Sequence, residues 1–375
     1  MKAPVRVLQV IGAMDRGGAE SLIMNIYRNI DREKLQFDFL VHERRKCDFD
    51  DEIMQLGGRL FRLPRFGGAN YFLYRKLCGD FFEEHHDYSA VHIHIGSSAA
   101  MVIRAAKRYG LFCIAHSHNT NPPISLLELG FRFFSHPTRH LADYYLACSK
   151  QAGLDRFGRA VVAGKRFAVL SNGIELFKYG FDPAIRLSCR KTLGLKSSEK
   201  AVCHIGRFSR EKNHCFLAES FALALRKNPS LKLFLVGRGP LENEVRRLVV
   251  SLGISDRVTF LGVRDDVPQL LMGMDAFAFP SVWEGLGIAA LEAQASGLPC
   301  LCSSEMPDVA FCAPYAKSEQ PQNFEIWSDW MASIQPRIDS ERLDGIGYVR
   351  AGGFDILDTV SSICSLYVKH TMGDS

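Results

Sequence analysis

Two glutamates frame a glycine-rich segment in the second half of the chain. Glu284 and Glu292 lie eight positions apart around Gly285-Leu286-Gly287, which opens a predicted helix over Ile288–Ala295. The unpaired amides in the first turn of a helix form an anion site. At about 1.5 Å of rise per residue, the two carboxylates lie up to about 12 Å apart along the helix axis. That separation is too long for one shared proton, and it suits the two ends of a nucleotide sugar.

Two cations lie in a loop upstream of this segment. Arg207 and Lys212 belong to the stretch GRFSREKN, which follows a predicted strand and precedes a predicted helix over 215–226. Ligands of open α/β sheets bind at the carboxyl ends of the strands. Arginine offers a planar fork of donors and lysine a mobile point charge, so together they can neutralise a diphosphate. Alone, such a pair is an ordinary solvated loop, and the downstream glutamates favour the diphosphate site.

Two further loops follow predicted strands in the same half. Gly237 opens the stretch GRGP, and Val263 follows Leu261-Gly262. Glycines allow a base or ribose to approach the backbone, although one GxG spelling is weak support. A simple turn explains the Val263 loop equally well. Because the carboxyl ends of parallel strands meet at one edge of a sheet, we expect these loops to converge with the Arg207 loop.

The first half contains two candidate loops of its own. Gly17 and Gly18 precede a predicted helix that runs to Ile30, where they suit phosphate or sugar oxygens. Their spacing is not GxGxxG, which disfavours NAD binding. The stretch His116-Ser117-His118-Asn119 follows another predicted strand. A sugar-contacting role for it is favoured over a structural one.

Metal-binding patterns are weak in this sequence. No helix-spaced HExxH pattern accompanies His116 and His118. Asp48-Phe49-Asp50 has a DxD spelling, but it lies in an acidic polar loop, so chance explains it better. We therefore expect no metal and no cofactor, because a nucleotide sugar would be a substrate.

Composition is that of a globular protein. With 375 residues, of which 47% are hydrophobic and 23% charged, the chain can bury a large core in two domains. Its eleven cysteines are scattered without CxxC pairs, which favours buried free thiols. The start of the sequence lacks the apolar region of a signal peptide, and we expect the protein in the cytosol.

Short β-branched runs alternate with longer helical patterns along the chain. This alternation predicts an α/β fold with two Rossmann-like, doubly wound parallel sheets. The turn Ser171-Asn172-Gly173 separates a first domain, 1–172, from a second, 173–350, and a closing helix over 355–370 is expected to pack back on the first. The predicted strands are Val5–Ile11, Phe37–Val41, Arg59–Leu63, Ala90–His94, Cys113–Ala115, Tyr144–Ala147, Phe167–Leu170, Ala201–Ile205, Leu231–Val236, Val258–Leu261, Ala276–Phe279 and Pro299–Cys302.

The first half of the chain is the basic half. Residues 1–170 carry 24 Lys and Arg against 17 Asp and Glu, whereas 171–375 carry 22 against 24. One predicted amphipathic helix combines basic and aromatic side chains: Phe131, Arg132, Phe133, Phe134, His136, Arg139 and His140. The pattern suits peripheral contact with an anionic membrane, and an ordinary packed helix with a solvated basic face is an equal alternative. We expect no nucleic-acid partner.

Six motifs together resemble those of a known family. They are GGAE after the first strand, HSHN, SNGI, GRFSREK, VGRGP and EGLGIAALEAQASGLP. The set is similar to the family 4 (group 1) retaining glycosyltransferases of bacterial exopolysaccharide and capsule synthesis, over about residues 5 to 302. The resemblance implies the GT-B fold, in which two Rossmann-like domains face a cleft. The nucleotide-sugar donor would bind mainly to the second domain and the acceptor mainly to the first.

The resemblance also implies roles for individual residues. Arg207 and Lys212 would hold the diphosphate, Glu292 the ribose hydroxyls, and Glu284 the transferred sugar. The implied catalytic residues are His118, Glu284, Arg207 and Lys212. The implied donor-binding residues are Gly17, Gly18, Arg207, Lys212, Gly237, Val263, Glu284, Gly285, Leu286, Gly287 and Glu292. His116 and Asn119 are expected to contact the acceptor.

The expected activity is a metal-independent transfer of a hexosyl or N-acetylhexosaminyl group with retention at the anomeric carbon. The donor would be UDP-linked, and the acceptor a lipid-linked or oligosaccharide molecule of surface polysaccharide synthesis. A sugar-nucleotide epimerase, a phosphorylase and a non-catalytic sugar- or phosphate-binding protein remain alternatives. After Leu301 the sequence departs from the family, and a short irregular tail is expected there.

Overall fold

The computed structural model describes residues 3–118 and 126–371. The chain divides into two compact units. The first runs up to Gly173 and takes in the segment from Ile356 onward, and the second is Ile174–Asp355. Each unit is built on one parallel β-sheet, so the predicted fold class of two Rossmann-like units is confirmed.

The first unit contains seven strands. They are β1 (Val5–Ile11), β2 (Leu35–Val41), β3 (Leu60–Arg62), β4 (Ala90–Ile93), β5 (Phe112–Ser117), β6 (Tyr144–Ala147) and β7 (Phe167–Val169). Their order in the sheet is β3-β2-β1-β4-β5-β6-β7. The chain reverses its direction of travel across the sheet between β1 and β4. In open α/β sheets such a reversal leaves a crevice at the carboxyl ends of the strands.

The second unit repeats this plan with six strands. They are β8 (Lys200–Ile205), β9 (Leu231–Val236), β10 (Val258–Gly262), β11 (Ala276–Phe279), β12 (Cys300–Ser303) and β13 (Ala316–Glu319). The order is β10-β9-β8-β11-β12-β13, with the reversal between β8 and β11. The loops after β8 and β11 therefore flank the crevice of this sheet.

Helices cover the sheets and connect the strands. In the first unit they are α1 (Gly18–Asn29), α2 (Asp50–Gln55), α3 (Tyr71–Glu84), α4 (Ala99–Lys107), α5 (Leu126–Ser135), α6 (Thr138–Leu141), α7 (Lys150–Phe157) and α8 (Arg159–Val162). In the second they are α9 (Pro183–Thr192), α10 (His214–Lys227), α11 (Glu242–Ser251), α12 (Val267–Gly273), α13 (Ile288–Ala295), α14 (Phe324–Ala332), α15 (Asp339–Arg342) and α16 (Gly345–Ala351). Four 3₁₀ turns are Leu176–Lys178, Arg210–Lys212, Ser255–Arg257 and Asp308–Ala310.

The last helix, α17 (Ile356–Thr371), belongs to the first unit. Ile356, Ile363 and Tyr367 of α17 are buried in the apolar core formed by α1 and one face of the first sheet. The ring of Tyr367 meets the ring of Phe37 edge-on, with centroids 6.0 Å apart. The first unit is therefore completed by residues from the far end of the chain.

The expectation of an irregular tail after Leu301 was wrong. Strand β13 pairs with β12, and α14 packs against α10 with Trp327 fully buried. β13 has the sequence AKSE and its middle two residues are exposed, because it lies at the sheet edge. An edge strand needs no continuous apolar run, so hydrophobic patterning gave no signal for it.

The prediction of a single amphipathic helix around Phe131 was also wrong. The segment forms two short helices, α5 and α6, separated by His136 and Pro137. Proline lacks an amide proton and restricts the residue before it, which ends a helix at that point. Phe133 on α5 is 75% exposed.

None of the helices within 3–118 and 126–371 has the length and apolar character needed to cross a membrane.

Candidate functional site

The loops after β8 and β11 meet at the crevice of the second sheet. Lys212 ends the 3₁₀ turn Arg210–Lys212, and its Nζ forms an ion pair with Oε2 of Glu284 in the β11 loop. The backbone joins the same loops, because Val282 N donates to Glu211 O over 2.8 Å. Both charged side chains are largely buried, at 21% and 16% exposed. A lysine and a carboxylate are thus held together where sheets of this type bind ligands.

An aromatic ring lies under the lysine. Nζ of Lys212 is 4.8 Å from the ring centroid of Phe279, the last residue of β11. A cation over an aromatic face is stabilised by about 0.5–2 kcal/mol. Phe279 and Glu284 therefore hold the ammonium group from two sides, and no sequence motif indicated the Phe279 contact.

Arg207 occupies the same β8 loop in a different environment. Its side chain is exposed, and within the described ranges no hydrogen bond or ion pair of its guanidinium is observed. Arg207 thus leaves its five donors available, whereas Lys212 already has a carboxylate partner. The two cations share one electrostatic neighbour, because the Ser209 hydrogen bond and, to a smaller extent, Arg207 and Lys212 all lower the pKa of the Glu211 carboxyl.

The three loops after β8, β9 and β10 pack against one another. Gly206 N donates to Val236 O over 2.9 Å, and Gly237 N donates to Gly262 O over 2.8 Å. Gly237 has a φ of +129°, and a Cβ there would lie 2.1 Å from Gly206 O. Only glycine allows this approach. Val263, which follows the third loop, is exposed.

The start of α13 requires a glycine. Gly287 precedes the helix with a φ of +79°, and a Cβ there would lie 2.5 Å from Met306 Cε. Leu286 is 5% exposed and packs in the apolar core, so only its backbone can face a ligand. Gly285 and Glu284 are half-buried beside it. The anion site expected at the amides of this helix start stays a prediction.

Glu292 lies in the second turn of α13 and has a partner that the sequence did not reveal. Tyr179 OH donates to Glu292 Oε1 over 2.6 Å. Burial raises the pKa of the Glu292 carboxyl to about 7, and the hydrogen bond from Tyr179 opposes that rise. Burial and the neighbouring Glu292 also raise the pKa of the Tyr179 phenol, so the phenol remains a donor. This carboxyl can change its charge near neutral pH.

Two buried histidines lie behind the Lys212 loop. His204 of β8 and His214 of α10 meet edge to face with ring centroids 4.5 Å apart. Burial lowers the pKa of His204 to about 4 and that of His214 to about 2, so both are neutral. His204 Nδ1 lies 2.8 Å from Ala278 O and donates to it. The pair adds no positive charge next to Lys212.

The remaining predicted residues lie in the first unit. Gly17 caps α1 and Gly18 is its first residue, with Glu20 in the first turn. His116 lies within β5 rather than in the loop after it, and His118 follows the strand directly. Asn119 lies outside the described residues. The rings of His116 and His118 are in contact at a tilt of 33°, with centroids 4.1 Å apart.

Sequence reasoning missed two further histidines beside them. The ring nitrogens of His92, His94 and His116 lie within 4.8 Å of one another and are the one group in the described part of the chain that could hold a metal ion. The alternation His92-Ile93-His94 on a strand places both histidines on one face, which was a readable signal.

All eleven cysteines are free thiols, and none of them belongs to the group of His92, His94 and His116.

Two family models match the sequence. Glycosyltransferase Family 4 covers residues 16–177, and Glycosyl transferases group 1 covers residues 187–310. A Bacillus subtilis protein assigned as the glycosyltransferase EpsF is 33% identical over 312 residues, which span 81% of this chain and 80% of EpsF. An Escherichia coli UDP-Gal:α-D-GlcNAc-diphosphoundecaprenol α-1,3-galactosyltransferase is 29% identical over 235 residues, 58% of each chain.

Solved structures with the same fold include two that span nearly the whole chain. HepE of Anabaena, in complex with UDP and glucose, aligns with a TM-score of 0.76 at 20% identity, over 96% of this chain and 99% of HepE. A glycosyltransferase from Rickettsia africae aligns with a TM-score of 0.80 at 15% identity over all of both chains. At such identities the likeness establishes the fold.

Proposed function

Because the chain belongs to the group 1 glycosyltransferases and has the GT-B fold, we propose that it transfers a sugar from a UDP-linked donor with retention at the anomeric carbon. The acceptor we propose is a lipid-linked or oligosaccharide intermediate of surface polysaccharide synthesis. The likeness to EpsF supports a role in polysaccharide assembly. The likeness to a galactosyltransferase acting on a diphosphoundecaprenol-linked sugar supports a lipid-linked acceptor and a hexosyl donor.

The contact between Lys212 and Glu284 carries this proposal. It lies at the crevice of the second sheet, next to the amides that open α13. In the proposed complex Lys212 and Arg207 bind the diphosphate, Glu284 and the amides of Gly285–Gly287 bind the transferred sugar, and Glu292 binds the ribose hydroxyls. Gly237 and Val263 would line the nucleotide from the adjacent loops.

The chemistry needs stabilisation of a leaving group. When the bond between the anomeric carbon and the diphosphate oxygen breaks, negative charge grows on the diphosphate. Cations and helix amides stabilise that charge more strongly in the transition state than in the ground state, which lowers the barrier. We propose that Arg207, Lys212 and the α13 amides supply this stabilisation without a metal. The acceptor oxygen forms the new bond on the same face, and its proton passes to the departing diphosphate.

The first unit would supply the acceptor side of the reaction. His118 is proposed to contact the transferred sugar, His116 and Asn119 the acceptor, and Gly17 with Gly18 the donor phosphates. Exposed apolar side chains on α3 and α5 are proposed to contact an anionic membrane, peripherally and from the cytoplasmic side. Phe72, Leu73, Leu129 and Phe133 are each more than half exposed, and Tyr71 of α3 stacks on Phe134 of α5.

A donor panel tests the proposed activity. Each nucleotide sugar is first scored by the rise in melting temperature that it causes, because a ligand that binds the folded state stabilises it. The donor that binds is then incubated with and without a lipid-linked acceptor pool, and the anomeric configuration of the product is read by NMR. Transfer that depends on the acceptor, with an α-linked product from an α-linked donor, supports the proposal. Donor conversion without acceptor would indicate an epimerase, and binding without any turnover would indicate a binding protein.

A further inference from the structure

Four histidines of the first unit form one hydrogen-bonded network with a glutamine and a tyrosine. His92 Nε2 lies 3.2 Å from His116 Nδ1, and His94 Nδ1 lies 2.8 Å from His118 Nε2. Tyr367 OH lies 2.6 Å from His92 Nδ1. Gln9 joins the two pairs, because its Oε1 lies 2.8 Å from His94 Nε2 and its Nε2 donates to Tyr367 OH over 3.2 Å. The order of contacts is therefore His116, His92, Tyr367, Gln9, His94 and His118.

All four imidazoles are neutral in this setting. Burial lowers the pKa of His92, His94 and His116 well below the ordinary value, and it lowers that of His118 to about 4. A neutral imidazole has one N–H donor and one acceptor nitrogen. The direction of one hydrogen bond in the chain therefore determines the direction of the next.

The glutamine sets both directions, since its amide has distinct donor and acceptor ends. Gln9 Oε1 can only accept, so His94 Nε2 carries a proton and His94 Nδ1 is an acceptor. His118 Nε2 must then donate to it, and His118 Nδ1 is left as a bare acceptor.

The other branch starts at the amide nitrogen. Gln9 Nε2 donates to the Tyr367 oxygen. Among the described residues His92 Nδ1 is the acceptor in reach of the Tyr367 hydroxyl proton, and we assign that proton to the bond with His92. His92 Nε2 then carries a proton and donates to His116 Nδ1. The proton of His116 is therefore on Nε2.

From this chain of contacts we infer that Gln9 is a positioning residue that fixes opposite tautomers in two neighbouring histidines. His116 offers an N–H donor at Nε2, and His118 offers an acceptor at Nδ1. Within the described residues neither atom has a hydrogen-bond partner, although both are buried. His94, His116 and His118 line one cavity of about 240 Å³. A matched donor and acceptor suit a hydroxyl-bearing ligand, and this last step rests on the proposed sugar transfer.

The contacts of His94 argue against a metal between His94 and His118. Both ring nitrogens of His92 and of His94 already have hydrogen-bond partners. Zinc binds imidazole nitrogen at about 2.0–2.1 Å, which places two ligands of a tetrahedral ion about 3.3 Å apart. The 2.8 Å between His94 Nδ1 and His118 Nε2 is shorter than that and fits a hydrogen bond. The 3.2 Å between His92 Nε2 and His116 Nδ1 is compatible with either, so the experiment below includes a zinc measurement. Tight binding of zinc by these histidines would overturn the inference.

Nitrogen-15 NMR of the histidine rings tests the inference without any donor sugar. The full chain is labelled at the histidine ring nitrogens, and signals are assigned by substituting each of the four histidines in turn. We expect His116 to carry its proton on Nε2 and His118 to carry its proton on Nε2 with a bare Nδ1. A His116 proton on Nδ1, a His118 proton on Nδ1, or one equivalent of tightly bound zinc would each overturn the inference. Because no turnover is measured, failure of the proposed transfer would leave this result unaffected.

Two variants separate the branches. In Gln9→Glu the carboxylate accepts from both Tyr367 and His94, so the Tyr367 hydroxyl no longer donates to His92. His92 and His116 should then both move their proton to Nδ1, while His118 stays unchanged. Tyr367→Phe removes the donor to His92 and should change the tautomer populations of His92 and His116, while those of His94 and His118 stay unchanged. If both variants leave His116 as in the parent chain, Gln9 does not set the tautomers. The parent spectrum decides the question if either variant does not fold.

Discussion

Tyr179 and Glu292, 113 residues apart in sequence, are joined by a 2.6 Å hydrogen bond in which the phenol donates to the carboxyl group. The bond links the residue after the 3₁₀ turn Leu176–Lys178 to the second turn of α13. Burial leaves this carboxyl with a pKa of about 7. Its charge, and with it any role in binding hydroxyls, therefore depends on pH in the neutral range.

Donor affinity should rise with pH through about 7. A carboxylate accepts hydrogen bonds from two ribose hydroxyls, whereas the protonated group accepts fewer. Tyr179→Phe removes a bond that favours the charged form, so the midpoint should move to higher pH. Calorimetric titration of UDP at several pH values measures both effects. A midpoint that is the same in Glu292→Gln as in the parent would exclude Glu292 as its source.

The free energy of unfolding should fall as pH rises toward 7, whereas donor affinity rises. The folded-state pKa of Glu292, about 7, lies above the ordinary 4.5, so folding favours the protonated form. The stabilisation is fully present below about pH 4.5 and is lost as pH rises through 7, at a cost of up to about 3 kcal/mol. Urea unfolding of the parent and of Glu292→Gln at pH 5 and pH 8 measures it. From pH 5 to pH 8 the parent should lose more of its free energy of unfolding than the glutamine variant does.

Replacing Lys212 by alanine should lower turnover by about 10²–10³-fold, because a cation that stabilises the leaving diphosphate is lost. Stability should fall by about 1–3 kcal/mol, because Glu284 loses its partner in a pair that is only 21% and 16% exposed. Lys227→Ala is the matched control, because Lys227 forms an ion pair with Asp329 on the surface of the same unit. Equal turnover in the two variants would contradict the role given to Lys212.

Gly287→Ala should weaken donor binding and destabilise the fold by about 1–3 kcal/mol. The cost comes from the φ of +79° and from the approach of a new Cβ to Met306 Cε. Gly347→Ala is the control, because Gly347 is exposed in α16 with no heavy atom near a built Cβ. That change should stabilise by about 0.5–1 kcal/mol. Thermal melts with and without UDP compare the two, and a Gly287→Ala protein that binds UDP normally would refute the assignment.

Asp275→Asn should destabilise the second unit by about 3–5 kcal/mol. Asp275 is 2% exposed, and its carboxylate pairs with Arg186 over 2.5 Å and with Arg190 over 2.9 Å. Removing its charge leaves two guanidinium groups near the core without a counter-ion. Glu242→Gln breaks an exposed pair with Arg246 and should cost less than about 0.5 kcal/mol. Similar unfolding free energies for the two variants would show that the Asp275 cluster is not a stabilising element.

Anionic vesicles should bind the first unit through its exposed aromatic side chains. Phe72→Ser combined with Phe133→Ser should reduce sedimentation with phosphatidylglycerol vesicles at low salt several-fold, because it removes the inserted apolar surface. Leu187→Ser, at an exposed position on α9 of the second unit, is the control. Absence of binding by the parent chain would remove the membrane proposal.

Periodicity located the elements that are apolar enough to be recognised. Strand β1, Val5–Ile11, and strand β9, Leu231–Val236, have the predicted bounds because Val, Leu, Ile and Phe dominate both, as is typical of buried parallel strands. Strand β13, with two polar exposed residues, gave no such signal. The proline at position 137 was a readable break that the amphipathic pattern concealed.

Motif spacing indicated the loops of the candidate site but not their contacts. The motif around Glu284 and the motif around Lys212 were both found, yet an ion pair between residues 72 apart cannot be read from either. Tyr179 and Phe279 belong to no motif. Tyr179 acts through its hydrogen bond to Glu292, and Phe279 acts through the position of its ring beside the Lys212 ammonium group. Gln9 is a polar residue in a mostly apolar strand. Its role could be recognised only from the strand register, which places it opposite His92 of β4.

The return of α17 to the first unit has a consequence for synthesis. When residues up to Gly173 have left the ribosome, the apolar groove that receives Ile363 and Tyr367 is still empty. At about 5–20 residues per second, translation of the intervening stretch takes roughly 10–40 s. During that interval the second unit can fold to completion, while the apolar groove of the first unit stays exposed to solvent. The nascent chain therefore presents a chaperone-accessible surface that disappears only when its final helix docks.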